Sequence, residues 1–318
     1  MIKYNIWVIY MIKNKIMFNN LIDDLKDKGK FNNKIIYKNI LCDGFIVQGL
    51  CVADEYYIIS AYSKKRSKSR LYFYEKNNSN YLGFIILDNS SHVGGVTYDY
   101  KNNVLFVTGF RGAINAYNFL ELKNLLINND YVVDLNKYDL NNIKIKCNNF
   151  NISKLFEDNV SAATIYYYED FLYVATCSCN GSLVKCELNF SIDMKSLSVK
   201  MKILTDDLPS CVQGLVMFTY NNYLFLVLSQ SYGRLKSNLK LYKLINNDLI
   251  FIGQKRLNYI GLEGIEIDNL GNILCVFENG KYITNTININ KLCNKINYKL
   301  ENKYIIKGML HKNKLNNF

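Results

Sequence analysis

Gln213-Gly214-Leu215-Val216-Met217, a turn at Asn221-Asn222, and the run Tyr-Leu-Phe-Leu-Val-Leu at 223–228 form the stretch that decides the architecture of this chain. A glycine opens a short apolar run, two asparagines tolerate the positive φ of a tight turn, and a second apolar run follows at once. That combination reads as a β-hairpin. Four other segments repeat the opening: Gln48-Gly49-Leu50-Cys51-Val52, Gly94-Gly95-Val96-Thr97-Tyr98, Ala162-Ala163-Thr164-Ile165-Tyr166 and Glu263-Gly264-Ile265-Glu266-Ile267. The small second residue stands at 49, 95, 163, 214 and 264, so the spacings are 46, 68, 51 and 50.

Each opening leads through a turn rich in Asn, Asp or Gly to an apolar second run, at 56–61, 104–108, 171–176, 223–228 and 273–277. Alternating third strands are expected at 70–74, 113–117, 182–186 and 239–243, and edge-like fourth strands at 82–87, 131–135, 197–203 and 249–252. Strand upon strand at this period, without regular intervening helices, is the signature of four-stranded blades in an all-β β-propeller. The count is five blades, with six as the alternative if one is hidden in 110–160 or in the tail. The last unit offers a third strand at 284–289, and residues 34–40 can supply its fourth, closing the ring with strands from both termini and removing a free edge. Short helices are expected at 20–28 and at 119–127, the latter an insertion that accounts for the 68-residue spacing. The domain division is an N-terminal extension at 1–32, the propeller at 33–290 and a Lys/Asn-rich segment at 291–318.

Composition narrows the function classes. With 49% hydrophobic residues, 26 Tyr and 17 Phe in 318 residues, the chain can build a sizeable core and is not intrinsically disordered. No apolar run approaches the ~18–20 residues of a membrane-spanning helix. Thirty-nine Lys and Arg against 27 Asp and Glu leave a formal charge of +12, but the cations are dispersed. The densest run, Lys-Lys-Arg-Ser-Lys-Ser-Arg at 64–70, reads as a solvated loop tip, so nucleic acid ranks last among the partners. Nine cysteines, an odd number inside apolar runs, behave as small hydrophobes rather than a disulfide framework. Cys177, Cys179 and Cys186 cluster in sequence, but with His92 and His311 distant there is no four-ligand zinc set. Walker loop, dinucleotide glycine fingerprint and nucleophile elbow are all missing from the sequence, and no cofactor is expected. The apolar stretch at 4–12 is short for a signal peptide and lacks a small-residue cleavage site, which leaves cytoplasmic and exported locations both open. A monomer is expected.

Because first strands line the channel of a propeller, the residues that enter them converge on one mouth. Here these are Gln48, Gly94, Ala162, Gln213 and Glu263. The glycine or alanine that follows allows close backbone approach near the axis, while Gln48, Gln213 and Glu263 need partners there and are candidate ligand contacts. Loops from second to third strands reach the same rim. They carry Tyr62 after Ser60-Ala61, Arg111, Tyr232 and Arg234 between Ser229 and Ser237, and Glu278. His92, just before Val93-Gly94-Gly95, is the histidine of the repeat region. Glu263, Glu278 and His92 are the candidate acid–base groups; Gln48, Tyr62, Arg111, Gln213, Tyr232 and Arg234 are the candidate ligand contacts.

Gln48-Gly49-Leu50 with residues 62–71, and Gln213-Gly214-Leu215 with residues 232–239, resemble the five-bladed propeller of plant- and bacterial-type glutamine cyclotransferases, where a Gln-Gly-Leu opening strand precedes a Tyr-Gly-x-Ser loop. Where that family has a glutamate before the serine of its first blade loop, Ile59 stands before Ser60. With His92-Val93-Gly94-Gly95 and Glu263-Gly264-Ile265, the chain looks closest to bacterial propeller proteins without an established activity. The leading expectation is a binding or interaction protein with a polar rim pocket for a small polar ligand or a protein partner. Its rival is a cofactor-independent enzyme of cyclotransferase, lyase or hydrolase type acting on a small polar or peptide-derived substrate. A buried glutamate with a raised pKa and room for a ligand favours the enzyme; rim glutamates paired to cations favour the binder.

Overall fold

A computed structural model describes residues 44–293, apart from 66, 149, 157–159, 178–180, 234 and 279–282. The repeats build an all-β propeller. Blade one is β1 (Phe45–Ala53), β2 (Tyr56–Ser63), β3 (Arg70–Glu75) and β4 (Tyr81–Ile86); blade two begins with β5 (Val96–Asp99), β6 (Val104–Thr108) and β7 (Ile114–Asn118). Helix α1 (Phe119–Asn128), β8 (Val132–Asp134) and β9 (Lys144–Asn148) follow. Blade three is β10 (Ser161–Tyr168), β11 (Phe171–Cys177), β12 (Gly181–Phe190) and β13 (Ser196–Leu208). Blade four is β14 (Val212–Tyr220), β15 (Tyr223–Gln230), β16 (Lys236–Ile245) and β17 (Asp248–Ile260), and the last blade shows β18 (Leu262–Ile267), β19 (Asn272–Phe277) and β20 (Thr284–Asn288). Consecutive strands within a blade pair antiparallel. The first strands touch in the cycle β1, β5, β10, β14, β18 and back to β1, which closes the ring around the axis.

Apolar side chains from facing blades fill the seams, as where Leu50, Tyr57 and Tyr72 of blade one meet Leu274 and Val276 of the last blade. Both faces of the inner strands are therefore buried, and this is why they read as continuous apolar runs rather than alternating ones.

The dipeptide that marks each repeat has a structural cause. Four inner strands slip register against their neighbour there, between Val47 and Gly49, Ala162 and Thr164, Val212 and Gly214, and Leu262 and Ile265. Such a bulge inserts an extra residue and re-aims the chain, so Gln48, Gln213 and Glu263 sit on bulges at the entrance to the channel. Hydroxyls on second strands brace the entries to the first strands of blades one, two and the last. Ser60 Oγ accepts from Gly49 N (2.8 Å) and donates to Val93 O in the next blade (2.7 Å). Thr108 Oγ1 accepts from Gly95 N (2.8 Å), and Ser229 Oγ donates to Glu263 O (2.7 Å). A Cβ on Gly49 would lie 2.6 Å from Ser60 Oγ, which explains the glycine. Ser60→Ala leaves a buried donor and a buried acceptor unmade and is expected to destabilise by about 2 kcal/mol, read as a lower urea midpoint at unchanged slope.

One strand assignment is corrected. Residues 131–135 do not form the fourth strand of blade two: β8 adds in parallel to the outer edge of β4 in blade one, with Phe84 opposite Val132, and β9 takes the place beside β7. The cause is α1. Asn118 caps it by accepting from Glu121 N, and Phe119 packs against Tyr98 (4.8 Å between centroids) and Tyr56 (6.4 Å) where blades one and two meet. Its exit therefore delivers the chain to the rim of blade one. β9 also pairs in parallel with β13, so blades two and three form one eight-stranded sheet.

α1 stands where the inserted helix is expected. The expected helix at 20–28 and the closing strand at 34–40 lie outside the described residues. A helical turn after β20 keeps Leu292 and Cys293 buried in the core. No helix among the described residues is long and apolar enough to cross a membrane.

Candidate functional site at the channel mouth

The serines shared by the blade-one and blade-four loops hold the entry to the next blade. Beside the Ser60 clasp, Ser69 Oγ donates to Ser91 O (2.5 Å), so both neighbours of His92 are fixed by blade one. Val93, a β-branched residue, is held at φ 49, a left-handed conformation that costs on the order of 1–3 kcal/mol and is sustained only by such surroundings. In blade four, Ser237 Oγ accepts from Leu262 N (3.0 Å) and Ser229 holds Glu263 O, which fixes the entry to β18 in the same way. The paired serines, seen in sequence as part of a ligand loop, are thus clasps that position His92 and Glu263.

His92 lies against Tyr62, the rings stacked at 4.3 Å and 29°. Loss of hydration lowers the histidine pKa, with Glu278 working against it. Glu263 is buried; burial first, and then the charge of Glu278, raise its pKa from 4.5 to about 8. Burial, Glu278 and Glu263, in that order, raise the Tyr62 phenol. Glu278 directly follows β19, its N–H donating to Gly261 O (2.7 Å) at a left-handed glycine (φ +71) before β18. Gln48 is buried on its bulge; its Nε2 donates to Val47 O (2.8 Å), and its Oε1 has no partner among the described residues. Tyr62, His92, Glu263 and Glu278 therefore act on one another electrically at one mouth, although their sequence positions span more than two hundred residues.

The other candidates stand apart from that group. Arg111 is exposed and lays its guanidinium over its neighbour Phe110, 4.9 Å from the ring centroid. Gln213 is half-buried on the β14 bulge. Tyr232 is exposed and borders a cavity of about 390 Å³ with Gln230, Lys236 and Arg256. Arg234 lies outside the described residues.

The opposite mouth, where inner strands end, holds a cavity of about 430 Å³ that sequence reading missed. Its floor includes Glu266, buried, with its pKa raised to about 8 by burial against the opposing pull of the Ile267 and Val52 N–H groups and the Tyr166 hydroxyl. The available signal was a charged residue inside an otherwise apolar inner strand, Ile265-Glu266-Ile267.

No protein-family model and no curated protein matches the chain. Among solved structures it is similar to the endo-arabinase from Bacteroides thetaiotaomicron VPI-5482, at 10% identity over 82% of this chain and 97% of that one, with a TM-score of 0.44. It is also similar to U3-55K (11% identity over 72% of this chain, TM-score 0.38) and to the Dos1 propeller (10% over 75%, TM-score 0.35). The chain spans 59% of the U3-55K structure and 56% of the Dos1 one. The fold itself rests on the strand pairing described above.

Proposed function

We propose that the protein is a β-propeller that binds a small polar ligand at the mouth formed by Gln48, Tyr62, His92, Glu263 and Glu278. The observation that carries this is the convergence of Tyr62, His92, Glu263 and Glu278 on one mouth, with the Tyr62 and His92 rings stacked at 4.3 Å and both carboxyls acting on the Tyr62 phenol. Two carboxyls, the orphan acceptor Oε1 of Gln48 and an Arg111 turned onto Phe110 suit a ligand rich in hydrogen-bond donors, such as an amine or an amide.

A second reading is cofactor-independent acid–base catalysis at the same mouth. It draws on Glu263 keeping its proton at neutral pH, as a general acid must.

A thermal-shift series with free amino acids, glutaminyl peptides, sugars and nucleotides tests both, using the native protein, Glu263→Gln and His92→Ala. A ligand at about 100 times its Kd stabilises by ~2.7 kcal/mol, a melting shift of several degrees. The expected result is a shift from an amine- or amide-bearing ligand that both variants lose. A shift that persists in both would remove the mouth as the site. Release of ammonia from a glutaminyl peptide, lost in Glu263→Gln, would select catalysis over binding alone.

A further inference from the structure

At the far end of the channel the turns after β1, β5 and β10 enclose the cavity of about 430 Å³, within the range of small-molecule sites. We infer that this cavity is a second ligand site, built for a neutral, hydroxyl-rich molecule of saccharide type. It shares no residue with the mouth described above.

Five tyrosines line it, Tyr98, Tyr100, Tyr166, Tyr167 and Tyr168, of which Tyr100 and Tyr168 keep accessible surface. Tyr166 and Tyr168 lie nearly parallel at 6.4 Å, and Tyr100, 70% exposed, stands edge-on to Tyr167 at 5.8 Å. The accessible rings of Tyr100 and Tyr168 offer flat apolar surface for the C–H faces of sugar rings. Asn269 and the buried Glu266 also line the cavity and supply the few polar groups that would orient a ligand. Charge argues against the alternatives. Asp54 and Glu169 on the wall oppose an anion, while Lys76, its Nζ donating to Asp54 O (3.2 Å), and Lys123, paired with Asp54 Oδ2 (3.3 Å), bring the local charge to balance and remove the attraction a cation would need. Glu169 Oε1 is itself occupied by the Thr219 hydroxyl (3.0 Å). A ligand without net charge but with many hydroxyls meets none of these penalties.

The test is isothermal titration of the full chain with maltose, cellobiose, lactose and sucrose, with choline as cationic and citrate as anionic control. At least one disaccharide is expected to bind, and Tyr100→Ala, at an exposed position that leaves the core intact, is expected to weaken it about tenfold, ~1.4 kcal/mol. His92→Ala at the opposite mouth is expected to leave it unchanged. The inference is overturned if no disaccharide binds at about 10 mM, well above the weak-affinity range. It is equally overturned if choline or citrate binds in their place, or if Tyr100→Ala leaves the affinity unchanged.

Discussion

Gly264→Ala is expected to open the ring. A Cβ at this position would lie 2.6 Å from Leu50 N, 2.8 Å from Gly49 Cα and 2.9 Å from Gly49 C, all backbone atoms of the first strand of blade one. Those atoms cannot yield as a flexible side chain would, because Gly49 N is already held by Ser60 and Ser60 by Val93 of blade two. The added methyl must therefore push β18 away from β1, where the last blade meets the first. Overpacking of this kind costs about 3 kcal/mol or more, a large part of the stability of an ordinary domain. Urea unfolding followed by far-ultraviolet circular dichroism would show a markedly lower midpoint. An unchanged midpoint would mean that the two strands are farther apart than described.

Stability should fall as pH rises, because the fold buries two protonated carboxyls. Glu263 and Glu266 each go from an ordinary 4.5 in the unfolded chain to about 8 in the fold. Between those values the folded state holds more protons than the unfolded one, so stability declines with increasing pH and levels off above about 8. At ~1.4 kcal/mol for each pH unit of that window, the loss reaches up to about 5 kcal/mol per group. Glu263→Gln and Glu266→Gln keep shape and neutrality, so each should be close to the native protein at pH 5 and more stable than it at pH 9. Melting temperatures measured across that range decide the matter. Parallel curves for native and variant proteins would show that these carboxyls ionise freely in the fold.

Most of the fold was legible because its cause is local. The Gln-Gly or Glu-Gly opening, the Asn-rich turn and the two apolar runs are set by a bulge, a hairpin and burial on both faces, all within about twenty residues. The placement of residues 131–135 was not, because a three-residue edge strand carries little pattern and its partner β4 lies some fifty residues back, chosen by where α1 releases the chain. The site divides along the same line. That His92 and Glu263 reach one mouth follows from repeat position. That Tyr62 stacks on His92, and that Glu278 and burial hold a proton on Glu263, depends on contacts between blades that no local spacing encodes. The tyrosines of the far mouth read as ordinary strand residues, since alternation alone does not say which of them faces a cavity rather than a seam.

The suture made by β9 divides the ring. Blades two and three are hydrogen-bonded to each other at their outer edges, where β13 runs beside β9, whereas blades one, four and the last are separate sheets. The described strands thus form four sheets around the ring, with four joints that no strand pairing crosses. Two of these flank blade one, and the mouth residues straddle both: Glu263 and Glu278 on one sheet, Gln48 and Tyr62 on the next, His92 at the edge of the sutured pair. Ser60 and Ser69 tie the chain on either side of His92 to blade one, and Gly264 packs on the Gly49 backbone, so blade one is the keystone that sets the spacing among these side chains from both sides.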